Sequence, residues 1–125
     1  MTEVAQRPNS APVLVTVAPY DQATPRGAVL GGWILTQLDY AAGLAGRKIS
    51  GGDALIVAIK ELSFHAALHP GEEFTIHAEL SRRGSSSFNL SVSAWAEPDA
   101  ECRRILTADV LLVAVDEDGK PRKLL

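Results

Sequence analysis

The stretch Gly31 to Ala45, GGWILTQLDYAAGLA, constrains this chain more than any other part of it. It has no proline and strong helix formers at Leu35, Gln37, Leu38, Ala41 and Ala42. Glycines stand near its end at Gly43 and Gly46, so it predicts a helix over 31–45. Its apolar residues, Trp33, Ile34, Leu35, Leu38, Tyr40, Ala41, Ala42, Leu44 and Ala45, surround the helical wheel and form no single stripe. Such a helix is expected to be a central element, enclosed by other structure.

The rest of the chain supplies the enclosure. After a turn at 47–52 the pattern changes to period two. Asp53 to Phe64 reads as a buried-type strand, Glu73 to Leu80 sets Phe74, Ile76, Ala78 and Leu80 against Thr75, His77 and Glu79, and Ser87 to Ala96 sets Phe88, Leu90, Val92 and Ala94 against Asn89, Ser91, Ser93 and Trp95. Arg103 to Val115 is apolar on both faces, and turn signals fall at Pro70-Gly71, Arg83-Gly84, Pro98-Asp99 and Asp118-Gly119. Upstream, Pro12 to Ala18 predicts a first strand, followed by a loop from Tyr20 to Leu30 with Pro25 and Gly27, a place to build a site. Residues 1–11 read as a mobile lead-in, and 12–125 as one domain with a polar tail from about 117. One apolar helix and an antiparallel meander imply a sheet curved around that helix, an α+β, hotdog-like fold. A chain of 125 residues buries modest area alone, so at least a dimer is expected.

Charge and cysteine usage exclude several functions. A formal net charge of −3 and a pI of about 5.5 give no global positive field, so neither nucleic acid nor a membrane is expected as partner. The least polar stretch, Gly27 to Gly46, is interrupted by Thr36, Gln37 and Asp39, which argues against a span. Cys102 is the only cysteine and no signal peptide is apparent, so a reducing cytoplasm is the expected location.

Few residues are placed to carry chemistry. Asp39 is the only charge between Arg26 and Arg47, in the middle of the most apolar helix. A buried carboxylate there must be hydrogen-bonded, neutralised or turned to a ligand cavity. Gly31 and Gly32 precede the helix, where unpaired N–H groups and a partial positive charge suit a carbonyl oxygen gaining negative charge. A Gly-Gly pair also suits an ordinary loop-to-helix turn whose packing excludes a side chain. Arg82-Arg83-Gly84-Ser85-Ser86-Ser87 offers two cations, a glycine and hydroxyls for a phosphate, or forms a solvated hairpin. His65 and His69 have the i, i+4 spacing of helical zinc ligands, but Pro70 opposes a helix and no third ligand is evident, so no metal is expected. His77 and Cys102 read as surface or packing residues, and Lys120 to Lys123 as a solvated tail.

With these features placed, the chain resembles the hotdog-fold acyl-CoA thioesterases, in their YciA-like branch. The resemblance rests on GAVLGGWILTQLD (Gly27 to Asp39), RRGSSSFNLSVSAW (Arg82 to Trp95) and LLVAVDEDGKPR (Leu111 to Arg122). It implies hydrolysis of acyl-coenzyme A to a free acid and coenzyme A, with Asp39 as general base or nucleophile and the backbone at Gly31 and Gly32 polarising the thioester carbonyl. Coenzyme A phosphates fall on Arg82, Arg83, Gly84, Ser85 and Ser86, and Thr24 takes the place of an asparagine common in the family. Ser85 replaces an arginine, and Ala66-Ala67 a basic residue and proline. No cofactor is implied, because coenzyme A is part of the substrate. The assembly implied is a homodimer in a dimer-of-dimers or trimer-of-dimers. A non-catalytic acyl-CoA-binding or sensing module is the alternative; a hotdog hydratase would need an Asp and His motif that the chain lacks.

Seven residues separate Gly32 from Asp39. That is almost two turns and about 10 Å along the axis, too far for one helix to bring both to one carbonyl. A neighbouring subunit is expected to supply one of them.

Overall fold

A computed structural model describes residues 6–97 and 102–124. The sequence signals for regular structure appear in order: β1 (Leu14–Val17), α1 (Gly31–Ser50), β2 (Ala54–Phe64), β3 (Glu73–Arg83), β4 (Ser87–Glu97) and β5 (Arg103–Ala114), with a single 3₁₀ turn at Tyr20–Gln22. The strands form one antiparallel sheet in the order β1-β3-β4-β5-β2, which leaves β1 and β2 as its edges. The turn signal at Pro98-Asp99 lies outside the described residues.

Alternation along the strands sets the face against α1. Phe74 and Ile76 of β3, Phe88, Leu90 and Val92 of β4, and Leu106, Val110 and Leu112 of β5 are buried with Ile34, Leu38, Ala41, Ala42 and Ala45 of the helix. Full burial of a side chain such as Leu38 contributes roughly 1.5–3 kcal/mol. The ring of Trp33 packs on Phe74 with centroids 5.7 Å apart.

The helix differs from its sequence reading in two ways. It runs past Ala45 to Ser50, because Gly43 and Gly46 do not end it. Gly46 is a packing glycine: a Cβ there would come within 3.0 Å of Leu112 Cδ2 and 3.6 Å of Phe88 Cζ. The stop is Gly51, which adopts φ 74° and donates its N–H to the Arg47 carbonyl at 2.9 Å. Nor is the helix enclosed within one chain. The sheet covers one side, and Leu35, Asp39, Tyr40 and Leu44 are exposed on the other.

Edge strand β2 is bulged, with register shifts between Ile56 and Ala58 and between Lys60 and Ser63, and Glu61 sits there at φ 53°. Leu55, Val57 and Ile59 are exposed along it. An apolar edge strand with open pairing groups is a surface for another chain.

The lead-in, read as mobile, and the tail, read as solvated, each make a specific contact. Arg7 of the lead-in forms an ion pair with Glu97. Arg122 of the tail donates to Ser50 O at 3.0 Å and to Val115 O at 2.9 Å, and so holds the chain end against the C-terminus of α1. A cation there meets the negative end of the helix dipole.

Candidate active site

Asp39 lines an open groove of about 770 Å³. The groove runs along the uncovered side of α1, past Tyr40, Gly43, Leu44 and Arg47, and is walled by Asp53 and Leu55 at the start of β2 and by the loop from Val115 to Gly119. The burial inferred for Asp39 from its apolar neighbours therefore does not hold within one chain: the carboxylate is exposed and faces a cavity. Position on the helix decides this, since Ile34, Leu38, Ala41, Ala42 and Ala45 take the sheet-facing stripe.

The helix start is built for close approach. Leu30 O accepts from Trp33 N at 3.1 Å and from Ile34 N at 3.3 Å, so the amides of Gly31 and Gly32 precede the first intrahelical bonds. A Cβ added at Gly32 would meet nothing within 4 Å, and one at Gly31 only Phe64 Cζ at 3.8 Å. Packing among the described residues does not require glycine at either position. Neither glycine lines the cleft that holds Asp39.

Thr24 is built into the turn before the helix. Its N–H donates to Ala28 O at 2.7 Å, its carbonyl accepts from Gly27 N at 2.9 Å, and its hydroxyl oxygen accepts from Arg26 N at 3.2 Å. Gly27 closes the turn at φ 86°, a conformation that favours glycine. Thr24 is likewise absent from the cleft lining.

Arg82 and Arg83 belong to β3 and not to the turn. They register with Asn89 and Phe88 of β4, beyond a shift that follows Leu80. Arg82 donates to Asn89 Oδ1 through Nε and to Ser87 Oγ at 3.0 Å through Nη2, folding its guanidinium over Gly84. The turn proper is Gly84 to Ser86, with Gly84 N donating to Ser87 O at 2.7 Å. Its carbonyls hold the end of β5 and the tail, since Ser86 O accepts from Ala114 N and Ser85 O from Leu124 N. Both arginines remain exposed, and neither lines the cleft that holds Asp39.

Other candidates have structural roles. His65 Nε2 lies 2.7 Å from Thr107 Oγ1, and no group of three His, Cys, Asp or Glu side chains converges among the described residues. His77 is buried and not on the surface, and burial, followed by the charge of Arg7, holds its pKa below the usual histidine value. Arg103 makes a bidentate pair with Glu72 at 2.7 and 3.0 Å, which lowers the Glu72 carboxyl. Sequence reasoning missed Tyr40, Gly43, Leu44 and Arg47 as cleft residues. The signal was available, because Asp39, Gly43 and Arg47 follow at helical spacing.

The five-strand antiparallel sheet packed on one long helix is the hotdog fold of the thioesterases with which the chain aligns. The chain belongs to the thioesterase superfamily, whose family model matches residues 26–103. It is 28% identical to the acyl-CoA thioester hydrolase YciA of Salmonella typhimurium, over 99% of this chain and 97% of the relative. A relative in Zymomonas mobilis, named an uncharacterised acyl-CoA thioester hydrolase, is 30% identical over 91% of this chain and 78% of its own length. Among solved structures, a hexameric thioesterase from Yersinia pestis superposes with a TM-score of 0.89 at 28% identity, covering 95% of this chain and 98% of that one. A hexameric hotdog fold thioesterase of Campylobacter jejuni gives 0.88 at 27%, covering 95% and 93%. No helix among the described residues is long and apolar enough to cross a membrane.

Proposed function

We propose that this protein hydrolyses acyl-coenzyme A thioesters to the free carboxylic acid and coenzyme A. The observation that carries the reading is the position of Asp39, the only charge between Arg26 and Arg47, whose carboxylate opens into the cleft along α1. Relatives of nearly the same length named acyl-CoA thioester hydrolases support it. Asp39 takes the proton of an attacking water, or attacks the carbonyl carbon itself and is released by water. The carbonyl oxygen gains negative charge as the new bond forms, and the amides of Gly31 and Gly32 at the positive end of a helix suit that charge. Collapse breaks the carbon–sulfur bond, and the thiolate leaves as coenzyme A after taking a proton. Arg82 and Arg83 at the end of β3, with Gly84, Ser85 and Ser86 of the turn that follows, are the groups for the nucleotide phosphates.

Each site is composite in this reading: Asp39 comes from one subunit and the glycine amides from its neighbour. The exposed apolar sides of α1 and β2 support assembly, and the hexameric neighbours favour a trimer of dimers. Asp39→Asn tests the catalytic role, because it keeps size and removes basicity. Steady thiol release from acyl-CoA should fall by about 10² to 10⁴, the usual contribution of a catalytic base. Near-normal turnover would remove the assignment. Tight acyl-CoA binding with no thiol release by the unsubstituted protein would instead make it a binding module.

A further inference from the structure

The tail returns to the turn that follows β3. Asp116 Oδ1 accepts from Asp118 N at 2.9 Å and from Lys120 N at 3.0 Å, closing a loop in which Gly119 takes φ 78°. Beyond the loop Val115 bridges to Pro121, Arg122 N donates to Ala114 O at 2.9 Å, and Leu124 N donates to Ser85 O at 2.9 Å. Alternate amides thus bond to β5 and to the turn, as in an extended chain, where successive side chains point to opposite sides. Arg122 and Leu124 take the inner side: Arg122 reaches Ser50 O at the end of α1, and Leu124 packs against the core. Lys123, between them, is exposed on the outer side. Arg82 is on that side too, because it registers with Asn89, which alternates with the buried Phe88 and Leu90. No hydrogen bond or ion pair engages the Lys123 ammonium among the described residues.

We infer that Lys123 is a phosphate-binding residue of the coenzyme A site, where its ammonium joins Arg82 beside the turn 84–86. The inference rests on the reading of that turn as the place of the nucleotide phosphates. In a chain of net charge −3 an anion must be met by cations gathered locally, and the tail brings one to this turn from 38 positions beyond Ser85. Lysine is a point charge on a flexible stem, suited to a phosphate whose place is fixed by other groups. The anchors at Arg122 and Leu124 hold the Lys123 backbone in position, so binding does not have to order a loose tail.

Binding of coenzyme A itself, which needs no turnover, reads the contribution. Lys123→Ala is expected to weaken it about fivefold and to reduce its dependence on salt, and Lys123→Glu to weaken it further. Lys123→Arg should stay within about twofold of the parent, and pantetheine, which lacks the nucleotide and its phosphates, should bind all four proteins alike. With 3′-dephospho-coenzyme A, loss of the Lys123→Ala effect assigns the lysine to the 3′-phosphate, and a retained effect assigns it to the diphosphate. Coenzyme A affinity of Lys123→Ala within about twofold of the parent, an equal loss for pantetheine, or a parent that binds no coenzyme A would overturn the inference. So would a lowered urea midpoint in Lys123→Ala with affinity lost equally in Lys123→Arg, which would assign the effect to packing of the tail. Thiol release is scored separately. If binding follows Lys123 yet no acyl-CoA is cleaved, the hydrolytic reading fails and the phosphate site stands; if acyl-CoA is cleaved and Lys123→Ala binds as the parent does, the reverse holds.

Discussion

Asp39 and Gly32 stand on the same helix, about 10 Å apart along its axis, and the cleft that takes in Asp39 excludes Gly32. A site using both is shared between chains. Asp39→Ala and Gly32→Val should each be inactive alone. Unfolded and refolded together in equal amounts, they should give about half mixed dimers, each with one intact site, and about a quarter of normal activity. No recovery from demonstrably mixed, folded dimers would refute the shared site. Because a Cβ at Gly32 meets nothing within the chain, Gly32→Val is expected to fold, which circular dichroism checks.

Arg83 is exposed at the end of β3. If it contacts the nucleotide phosphates, Arg83→Ala should raise KM for acyl-CoA several-fold, with little effect on an acyl thioester lacking the nucleotide. Equal effects on both substrates would assign the residue to the turn alone.

Arg122 bridges the chain end to the last turn of α1 through Ser50 O and to Val115 O. Arg122→Ala leaves those carbonyls without a charged donor and should cost about 1–3 kcal/mol, read as a lower urea midpoint. An unchanged midpoint would show that the tail adds no stability.

His77 predicts a pH dependence of stability. It is buried, and burial together with Arg7 lowers its pKa, partly opposed by Glu79 and by the backbone at Ser10. The folded state then binds the proton less readily than the unfolded one. The stability contribution is complete above the unfolded value of 6.5 and is lost as pH falls below it toward the folded value. His77→Leu should keep its unfolding midpoint more nearly constant between pH 7.5 and pH 5.5 than the parent. Parallel curves for the two proteins would exclude His77 as the cause. Glu72 acts in a separate range, since its depressed carboxyl loses stability only below the ordinary value of 4.5.

Local pattern alone determined where α1 begins, that period-two strands follow it, and that Asp39 is the charge to explain. Helix propensity and side-chain alternation are properties of neighbouring residues, and the chain carries them before it folds. The tertiary structure decided what those residues face. Gly43, Gly46 and Gly51 look alike in sequence, but only Gly51 has the left-handed backbone that stops the helix, while Gly46 makes room for Leu112 and Gly43 opens the cleft. His77 alternates as an outward residue yet is buried, and Arg122 looks like tail yet reaches Ser50, 72 positions away. The Arg47–Asp53 pair and the exposed side of α1 depend equally on where β2 and β5 return. Contacts between segments distant in sequence have no local signature, because they form only when the sheet curves over one side of the helix and leaves the other open.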